Sequence, residues 1–456
     1  MGRVALIGEN SIEYVSTLID IWNSGNSAVL IDWRIPIRVA IEMMLEAEVF
    51  KCYIDQKFLE ETFVASTKGI VFVSFERKTF SAEYLPDTIY NKFKPDYSTR
   101  EAIVLYSSGT TGNSKGIILS HFAINTNADS IIDYMKPTAD DCIYIAKSLS
   151  HSSTLTGELL VALKARARVV ISPTIVPPRY IISKMKALGV TIVCLNPTLL
   201  SMIADELEEK KNDLITLRAI YVSGSILNDK VYCKARKVFA NVPTYNAYGL
   251  SEAGPRVTAQ RLECCKNNSV GKPIKGVKIA LVDEKGDLVQ TGERGIIHVN
   301  TPSIFSGYIC GKAKHRSLYS GWLNTGDIGI FDINRELLIV GRVDDMIVID
   351  AHKIYPSTVE KQVLLLNGVS ECAVVDVCIC DKIFLSCLYT GIMIDEIAAR
   401  KQLEKNLMQY EIPKFFIHNN IIPRNINGKI SKADVKRIVK ERINEQMIAN
   451  GRSKKE

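Results

Sequence analysis

A loop rich in glycine and hydroxyl residues lies between two short apolar runs. It consists of Ser107, Ser108, Gly109, Thr110, Thr111, Gly112, Asn113, Ser114, Lys115 and Gly116. The flanking runs, 102–105 and 117–119, are typical of buried strands. Glycine lets backbone amides approach an anion closely, hydroxyls donate to its oxygens, and lysine adds a compact positive charge. The composition therefore predicts a phosphate-binding loop, with a plain flexible surface loop as the alternative.

This loop differs from the Walker A type in its ending. A Walker A loop closes with Gly-Lys-Ser/Thr at the start of a helix. In this chain Ser114 precedes Lys115, Gly116 follows it, and an apolar run comes next. The loop alone therefore does not identify the reaction, and its partners must be sought further along the chain.

Four further stretches carry acidic, glycine or basic residues in loops. They are 246–252 (NAYGLSE), 325–327 (TGD), 341–345 (GRVDD) and 423–429 (PRNINGK). Each is a weak signal alone, because acidic and glycine residues usually mark turns. In this order and spacing, together with the phosphate loop, they resemble the motifs of the adenylate-forming enzyme superfamily. That superfamily includes acyl- and aryl-coenzyme A synthetases, peptide synthetase adenylation domains and luciferases, and the resemblance runs from Arg3 to about Lys432.

The resemblance implies a specific α/β architecture. We expect a large N-terminal domain of α/β layers with parallel sheets and a small antiparallel barrel-like unit, over residues 1–342. A hinge at 343–345, centred on Asp344, would lead to a small α+β C-terminal lid domain at 346–456. The apolar runs agree, because strands and helices alternate up to about residue 270 and short strands with turn pairs follow.

The resemblance also assigns roles at a nucleotide site. The phosphate loop is expected to hold the β- and γ-phosphates of ATP, Tyr248 to stack on adenine, and Ser251 to contact the α-phosphate. Glu252 matches the Mg²⁺-binding carboxylate, which suits a hard cation that prefers oxygen ligands. The remaining expected nucleotide contacts are Asn246, Ala247, Gly249, Asp327 at the ribose hydroxyls and Arg342 beside it. Lys429 matches a lysine that reaches the α-phosphate, so Lys429, Ser251 and Glu252 form the expected catalytic set.

The activity implied is an AMP-forming acid–thiol ligase with two half-reactions. A small-molecule carboxylic acid reacts with ATP to give an acyl-adenylate and pyrophosphate, with Mg²⁺ as cofactor, and the enzyme acts mainly through positioning and charge stabilisation. The lid then rotates, and a thiol takes the acyl group. The acceptor is coenzyme A or the phosphopantetheine of an acyl or peptidyl carrier protein. Ala351 replaces a glycine of the thioester-forming relatives, which keeps open an enzyme that stops at the adenylate or uses a carrier protein. A catalytically silent nucleotide-binding homologue is a further alternative, suggested by the short N-terminus and the altered hinge region.

The acid is constrained by the segment around His151. Relatives that activate amino acids place an aspartate there for the substrate ammonium, whereas 148–153 reads SLSHSS. Because a buried ammonium without a partner is costly, the sequence favours an aryl or aliphatic acid over an amino acid. His151, Gly224 and Ser225 are the expected substrate contacts. A structural histidine that caps the following helix is the alternative for His151.

Composition limits the remaining possibilities. The net charge of +7 is modest for 456 residues and concentrates near the C-terminus, so no nucleic-acid partner is expected. No apolar run reaches 18 residues, so no transmembrane helix is predicted. Eleven scattered cysteines without metal spacing predict reduced thiols and a cytoplasmic location. Locally, Asn10 is expected to cap the first helix, with Glu13 in capping-box position.

Overall fold

The computed structural model describes most of the chain. The described residues are 2–62, 69–107, 115–208, 214, 216–261, 269–309, 318–350, 352–379, 382–425 and 429–452; the side chains at 60–62, 107, 261, 318–319 and 447–452 are not included. The chain divides into two compact units. The first is formed by 1–280, 298–325 and 331–338, and the second by 281–297, 326–330 and 339–456.

The helices of the described part occur throughout both units. In chain order they are α1 Ile12–Asn23, α2 Ile37–Glu46, α3 Asp87–Lys92, α4 His121–Met135, α5 Ser152–Thr154, α6 Val161–Ala165, α7 Pro178–Ala187, α8 Pro197–Glu208, α9 Asp229–Val238, α10 Pro356–Val363, α11 Glu396–Leu403 and α12 Lys432–Arg452. Short 3-10 helices occur at Gln56–Thr62, Ser251–Ala253 and Gln409–Glu411. A π-helix at Leu155–Leu160 connects α5 to α6.

The strands of the described part follow the same order. They are β1 Arg3–Gly8, β2 Ser27–Asp32, β3 Val49–Asp55, β4 Val71–Phe75, β5 Glu83–Tyr84, β6 Glu101–Ser107, β7 Lys115–Ser120, β8 Cys142–Ile145, β9 Arg168–Ile171, β10 Ile192–Leu195, β11 Ala219–Val222, β12 Thr244–Gly249, β13 Arg256–Arg261, β14 Lys272–Pro273, β15 Lys278–Val282, β16 Arg294–Asn300, β17 Gly307–Tyr308, β18 Leu318–Tyr319, β19 Trp322–Phe331, β20 Leu337–Arg342, β21 Ile347–Ile349, β22 His352–Ile354, β23 Val369–Ile379, β24 Lys382–Gly391 and β25 Phe415–His418.

The first unit is built on two mixed sheets. In the described part their strand orders are β17-β7-β6-β2-β1-β3-β4 and β14-β13-β12-β11-β10-β8-β9-β5. Neighbours from β6 through β4 in the first sheet, and from β12 through β9 in the second, pair in parallel. Such sheets need apolar side chains on both faces, and β2 accordingly is buried at every position. The predicted α/β class with parallel sheets is confirmed.

Helices α1 and α4 share one apolar core with strands of both sheets. Leu18 and Ile131 on these helices are fully buried beside β-strand residues such as Leu6 and Ile192. Ser120 caps α4 as its hydroxyl accepts from the amide of Ala123 at 3.1 Å. This packing supports the carboxyl edges of the two sheets, where open α/β sheets bind ligands.

After residue 270 the described strand pairs β18-β19, β21-β22 and β23-β24 are antiparallel, whereas β24-β25 is parallel. A sheet with the order β15-β16-β19-β18, with β20 beside β19, follows the first two sheets, and the boundaries between the compact units fall within its strands. The second unit also holds the hairpin β21-β22 and the sheet β23-β24-β25, covered by α10 and α12. The predicted antiparallel region is therefore present. The domain boundary at 343–345 stays a prediction.

One local expectation is wrong. The cap of α1 is Ser11, whose hydroxyl accepts from the amide of Tyr14, and Asn10 lies outside the helix end. The side chain of Asn10 instead donates to the carbonyl of Lys147 and accepts from the amide of Leu149.

In the described ranges, no helix is long and apolar enough to cross a bilayer.

Candidate functional site

The phosphate loop joins two paired strands of the first sheet. Ser107 ends β6 and faces Lys115, the first residue of β7, in antiparallel register. The predicted contacts Ser108, Gly109, Thr110, Thr111 and Gly112 lie outside the described residues, as does Ala351. The structure therefore locates the loop by its two ends, beside an antiparallel strand pair at the sheet edge.

Glu252 lies close to the end of this loop through Tyr308. The phenol of Tyr308 donates to Oε1 of Glu252 at 2.8 Å. The ammonium of Lys115 lies 5.8 Å from the centre of the same ring. Strand β17 holds Tyr308 against β7, and the amide of Phe305 donates to the carbonyl of Glu252. A carboxylate and a lysine from distant parts of the sequence are thus placed around one aromatic ring.

Ser251 precedes Glu252 and contacts the segment around His151. Its hydroxyl lies 2.8 Å from that of Ser152, in hydrogen-bond contact. Both Ser251 and Glu252 belong to the 3-10 helix that follows β12. The polypeptide doubles back at this point so tightly that a Cβ on Gly249 would lie 2.0 Å from the carbonyl oxygen of Pro255. Glycine at 249 is therefore required for the turn itself, whatever ligand the turn binds.

The other residues of the YGLSE motif are placed by β12. Asn246 is buried, and its side-chain amide donates a hydrogen bond to the carbonyl of Ser269 at 3.0 Å. This bond gives Asn246 a structural role. Ala247 is buried, Tyr248 is half-buried and Gly249 is exposed at the carboxyl end of the strand. The side chain of Tyr248, predicted to stack on adenine, therefore lies half-buried near the carboxyl end of β12. The assigned contacts stay predictions.

His151 occupies the backbone cap position of α5, but its side chain makes no capping hydrogen bond. Instead its Nε2 lies 3.8 Å from Oδ2 of Asp32, which also accepts from the hydroxyl of Ser150 at 3.2 Å. Sequence reasoning missed Asp32. Its position at the end of a buried parallel strand, at the carboxyl edge of the sheet, was the available signal.

Asp32 is held in its charged form. Burial alone would raise the pKa of this carboxyl, but the Arg34 guanidinium lies 2.6–2.7 Å from both oxygens and the net effect lowers it. The side chain of Asp32 is 5% exposed. A negative charge is therefore fixed beside His151.

Gly224 and Ser225, the other predicted substrate contacts, lie in an exposed bend at the carboxyl end of β11.

The second unit holds the remaining predicted residues. Arg342 Nε lies 3.6 Å from Oδ1 of Asp327, so the structure brings these two together. The amide of Val343 donates to the carbonyl of Gly326 and ties the two segments. Asp344 is exposed. Lys429 is exposed, and its backbone amide donates to Oδ1 of Asn425 at 3.0 Å.

The donor set of the first unit fits a magnesium-bound nucleotide. Glu252 supplies a buried carboxylate oxygen, Ser251 a hydroxyl and Lys115 a cation. Within the described ranges, no cluster of three or more His, Cys, Asp or Glu side chains is placed to hold a metal by protein ligands alone. One carboxylate with phosphate oxygens supplied by the nucleotide is the usual manner in which Mg²⁺ binds.

The fold matches that of solved structures, among them a coenzyme A ligase. ATP-bound MatB from Rhodopseudomonas palustris matches with a TM-score of 0.84 at 23% identity, over 96% of this chain and 88% of that chain. The anthranilate CoA ligase AuaEII, in complex with anthranoyl-AMP, matches with a TM-score of 0.84 at 20% identity, over 96% and 87%. At this identity the similarity establishes the fold class.

Sequence comparison identifies the family. The model described as AMP-binding enzyme matches residues 2–309, and the chain belongs to that family. Indoleacetate–CoA ligase of Aromatoleum aromaticum is 26% identical over 96% of this chain and 88% of its own length. A 2-succinylbenzoate–CoA ligase of Bacillus mycoides is 25% identical over 96% and 89%. The predicted family and the predicted enzyme class, an AMP-forming acid–thiol ligase, are confirmed.

Proposed function

We propose that this protein activates a small carboxylic acid with ATP and transfers the acyl group to coenzyme A. The observation that carries the proposal is the grouping of Lys115, Glu252 and Ser251. Tyr308 bonds Glu252 and lies near Lys115, while Ser251 is the residue before Glu252. A cation, a carboxylate and a hydroxyl are the groups needed around a polyphosphate.

The proposed chemistry has two balanced steps. A carboxylate oxygen of the acid attacks the α-phosphorus of ATP, the bond to the β-phosphate oxygen breaks, and pyrophosphate leaves. The thiol sulfur then attacks the acyl carbon, the bond to the AMP oxygen breaks, AMP leaves, and the thiol proton passes to solvent. Bound Mg²⁺ would neutralise phosphate charge, and Glu252 would be its protein ligand.

Each predicted residue receives a role in this proposal. Lys115 and the loop from Ser107 to Gly112 orient the departing phosphates, and Ser251 donates to the α-phosphate. Tyr248, with Asn246, Ala247 and Gly249 beside it, supports the adenine. Asp327 accepts from the ribose hydroxyls with Arg342 as its neighbour. Lys429 stabilises charge that develops on the α-phosphate, and Asp344 is the hinge at which the lid, residues 346–456, turns.

An aryl or aliphatic acid is the proposed substrate class, with His151, Gly224 and Ser225 as contacts. The relatives named above act on indoleacetate and 2-succinylbenzoate, and both are aromatic acids. A carrier-protein phosphopantetheine is the alternative acceptor. The seven described cysteines are all free thiols, which favours the reducing cytoplasm as the location.

The decisive experiment is ATP–pyrophosphate exchange across aromatic, aliphatic and amino acids. Exchange with at least one aryl or aliphatic acid is the expected result. Exchange with amino acids alone would show that the substrates are amino acids. ATP binding without any exchange would show that the protein is a catalytically silent homologue. Coenzyme A and a phosphopantetheinylated carrier protein are then compared as acceptors with the best acid. Faster acyl transfer to the carrier protein would overturn the coenzyme A assignment.

A further inference from the structure

Three charged side chains that have no role in the proposed function are buried together in the first unit. Glu158 is fully buried in the π-helix, Arg256 is 3% exposed at the start of β13, and the side chain of Lys147 is 13% exposed after β8. Charged residues of these types are rarely buried unless they are paired. We call these three residues the buried charge cluster, and their burial requires a physical explanation.

The cluster contains more positive than negative charge. Lys147 Nζ lies 2.9 Å from Oε1 of Glu158, so this ion pair engages the one carboxylate of the cluster. No carboxylate among the described residues lies within the 4.0 Å ion-pair distance of the Arg256 guanidinium. Its Nε is fully enclosed and donates no hydrogen bond to a described neighbour. The cluster thus holds two cations and a single carboxylate, and that carboxylate is paired with Lys147.

The cluster has an excess of positive charge whether Glu158 is ionised or protonated. Burial raises the pKa of this carboxyl, and Lys147 followed by Arg256 opposes the shift. An ionised Glu158 leaves a net charge of one positive unit, and a protonated Glu158 leaves two. Because an uncompensated buried charge is strongly destabilising, a bound anion would lower the free energy of the cluster, whereas a bound cation would raise it.

The cluster lies next to the proposed adenylate position. Arg256 faces Gly249 across the antiparallel pair β12-β13, four residues after Glu252. Ser152, hydrogen-bonded to Ser251, leads through α5 into the π-helix that carries Glu158. Gly157 in that helix faces the arginine, since a Cβ there would lie 3.3 Å from a terminal guanidinium nitrogen. The segment after Ser251 and the segment after its hydrogen-bond partner Ser152 therefore both lead into the cluster.

We infer that Arg256, with Lys147 and Glu158, selects acids that carry a second anionic group, such as a second carboxylate. This inference rests on the proposed function, because it deepens the assignment of the same substrate site. The first carboxylate would face Ser251 for activation, and the second would face the guanidinium. An amino acid would instead bring its ammonium to a region that already holds two cations and a single carboxylate, which disfavours it.

The test compares matched pairs of acids. Each pair contains an aromatic or aliphatic dicarboxylic acid and its monomethyl ester, which keeps the shape and removes the second charge. Pyrophosphate exchange should give a kcat/KM about 10- to 100-fold higher for the diacid, the size expected for a charge-assisted hydrogen bond. Arg256→Met should abolish this preference by lowering activity with the diacid while that with the ester changes little.

Two further variants separate selectivity from folding. Arg218→Met removes an arginine that pairs with Asp141 at the other end of β11, and it should leave the diacid preference unchanged. Glu158→Gln removes the carboxylate of the cluster, and it should keep or increase the preference. If Arg256→Met does not fold, loss of the preference in Glu158→Gln would still contradict the inference.

Failure of the inference and failure of the proposed function give different results. Exchange with monoanionic acids at rates equal to or above those of the diacids, or a preference for amino acids, would overturn the inference and leave the ligase activity in place. Absence of exchange with every acid would overturn the proposed function. In that case thermal stabilisation by the diacids alone, measured without ATP in wild type and Arg256→Met, still decides the inference, since only an Arg256-dependent shift supports it.

Discussion

The hydroxyl of Tyr308 donates a 2.8 Å hydrogen bond to Oε1 of Glu252, although 56 positions separate the two residues. The bond fixes one carboxylate oxygen of Glu252, a residue that is 5% exposed. The other oxygen is oriented at the same time, because the carboxylate is planar. A tyrosine outside every motif found in the sequence therefore sets the direction of the proposed Mg²⁺ ligand.

Tyr308→Phe removes this bond and keeps the ring beside Lys115. We expect kcat/KM for pyrophosphate exchange to fall about tenfold, as for the loss of about 1.4 kcal/mol from a hydrogen bond to a charged group, and the Mg²⁺ concentration for half-maximal rate to rise. Tyr90→Phe is the control, since its phenol donates to the carbonyl of Ala167 elsewhere in the first unit. An unchanged Mg²⁺ titration would contradict the orienting role of Tyr308.

Lys429→Ala tests the proposed lid lysine. We expect adenylation to fall by roughly several hundredfold, because a charge partner of the transition state is lost. Thioester formation from a preformed acyl-adenylate should change little, and the fold should be intact because Lys429 is exposed. Lys405→Ala removes another exposed lysine of the second unit as a control. Equal adenylation rates for the two variants would remove Lys429 from the catalytic set.

The sequence was informative wherever a chemical requirement is local. Apolar runs such as 28–31 predicted parallel strands because a strand buried on both faces must be apolar throughout, and β2 is buried at every position. The motif around Ser251 and Glu252 was recognisable for the same reason, since a turn, a hydroxyl and a carboxylate follow each other within a few residues.

The sequence was uninformative wherever partners are distant. Asn10 fitted the cap pattern of α1, but its amide binds Lys147 and Leu149, more than 130 positions away, and Ser11 takes the cap. The pairing of Tyr308 with Glu252, and of Asp32 with His151, is equally invisible to local patterns. Burial of Glu158 and Arg256 likewise depends on partners distant in sequence, since Gly157 of the π-helix lies beside the Arg256 guanidinium.

Gly249→Ala tests whether the turn of the YGLSE motif needs glycine for steric reasons. A Cβ there would lie 2.0 Å from the carbonyl oxygen of Pro255, and this backbone atom cannot move away independently. We expect a loss of about 3 kcal/mol or more in the free energy of unfolding, at the upper end for overpacking. Gly292→Ala has a positive φ but open space, so it should lose only about 1 kcal/mol. Urea denaturation compares them, and similar losses would contradict the steric account.

Asp141 gives the protein a defined sensitivity to acid. Burial alone would raise the pKa of its carboxyl, but bonds from Arg218, the Thr138 amide and Thr191 outweigh it and lower the pKa to about 2, from 3.8. A carboxyl whose pKa is lower in the folded state than in the unfolded state stabilises the fold at pH values above its unfolded-state pKa. This contribution is lost as the pH falls through the folded-state pKa. The difference in unfolding free energy between wild type and Asp141→Asn should therefore be constant above about pH 5 and shrink between pH 3.8 and about 2. Urea titrations at each pH measure it, with Asp140→Asn, an exposed neighbour, as the control. A difference that stays constant down to pH 2 would show that the Arg218 bonds do not stabilise the ionised carboxyl.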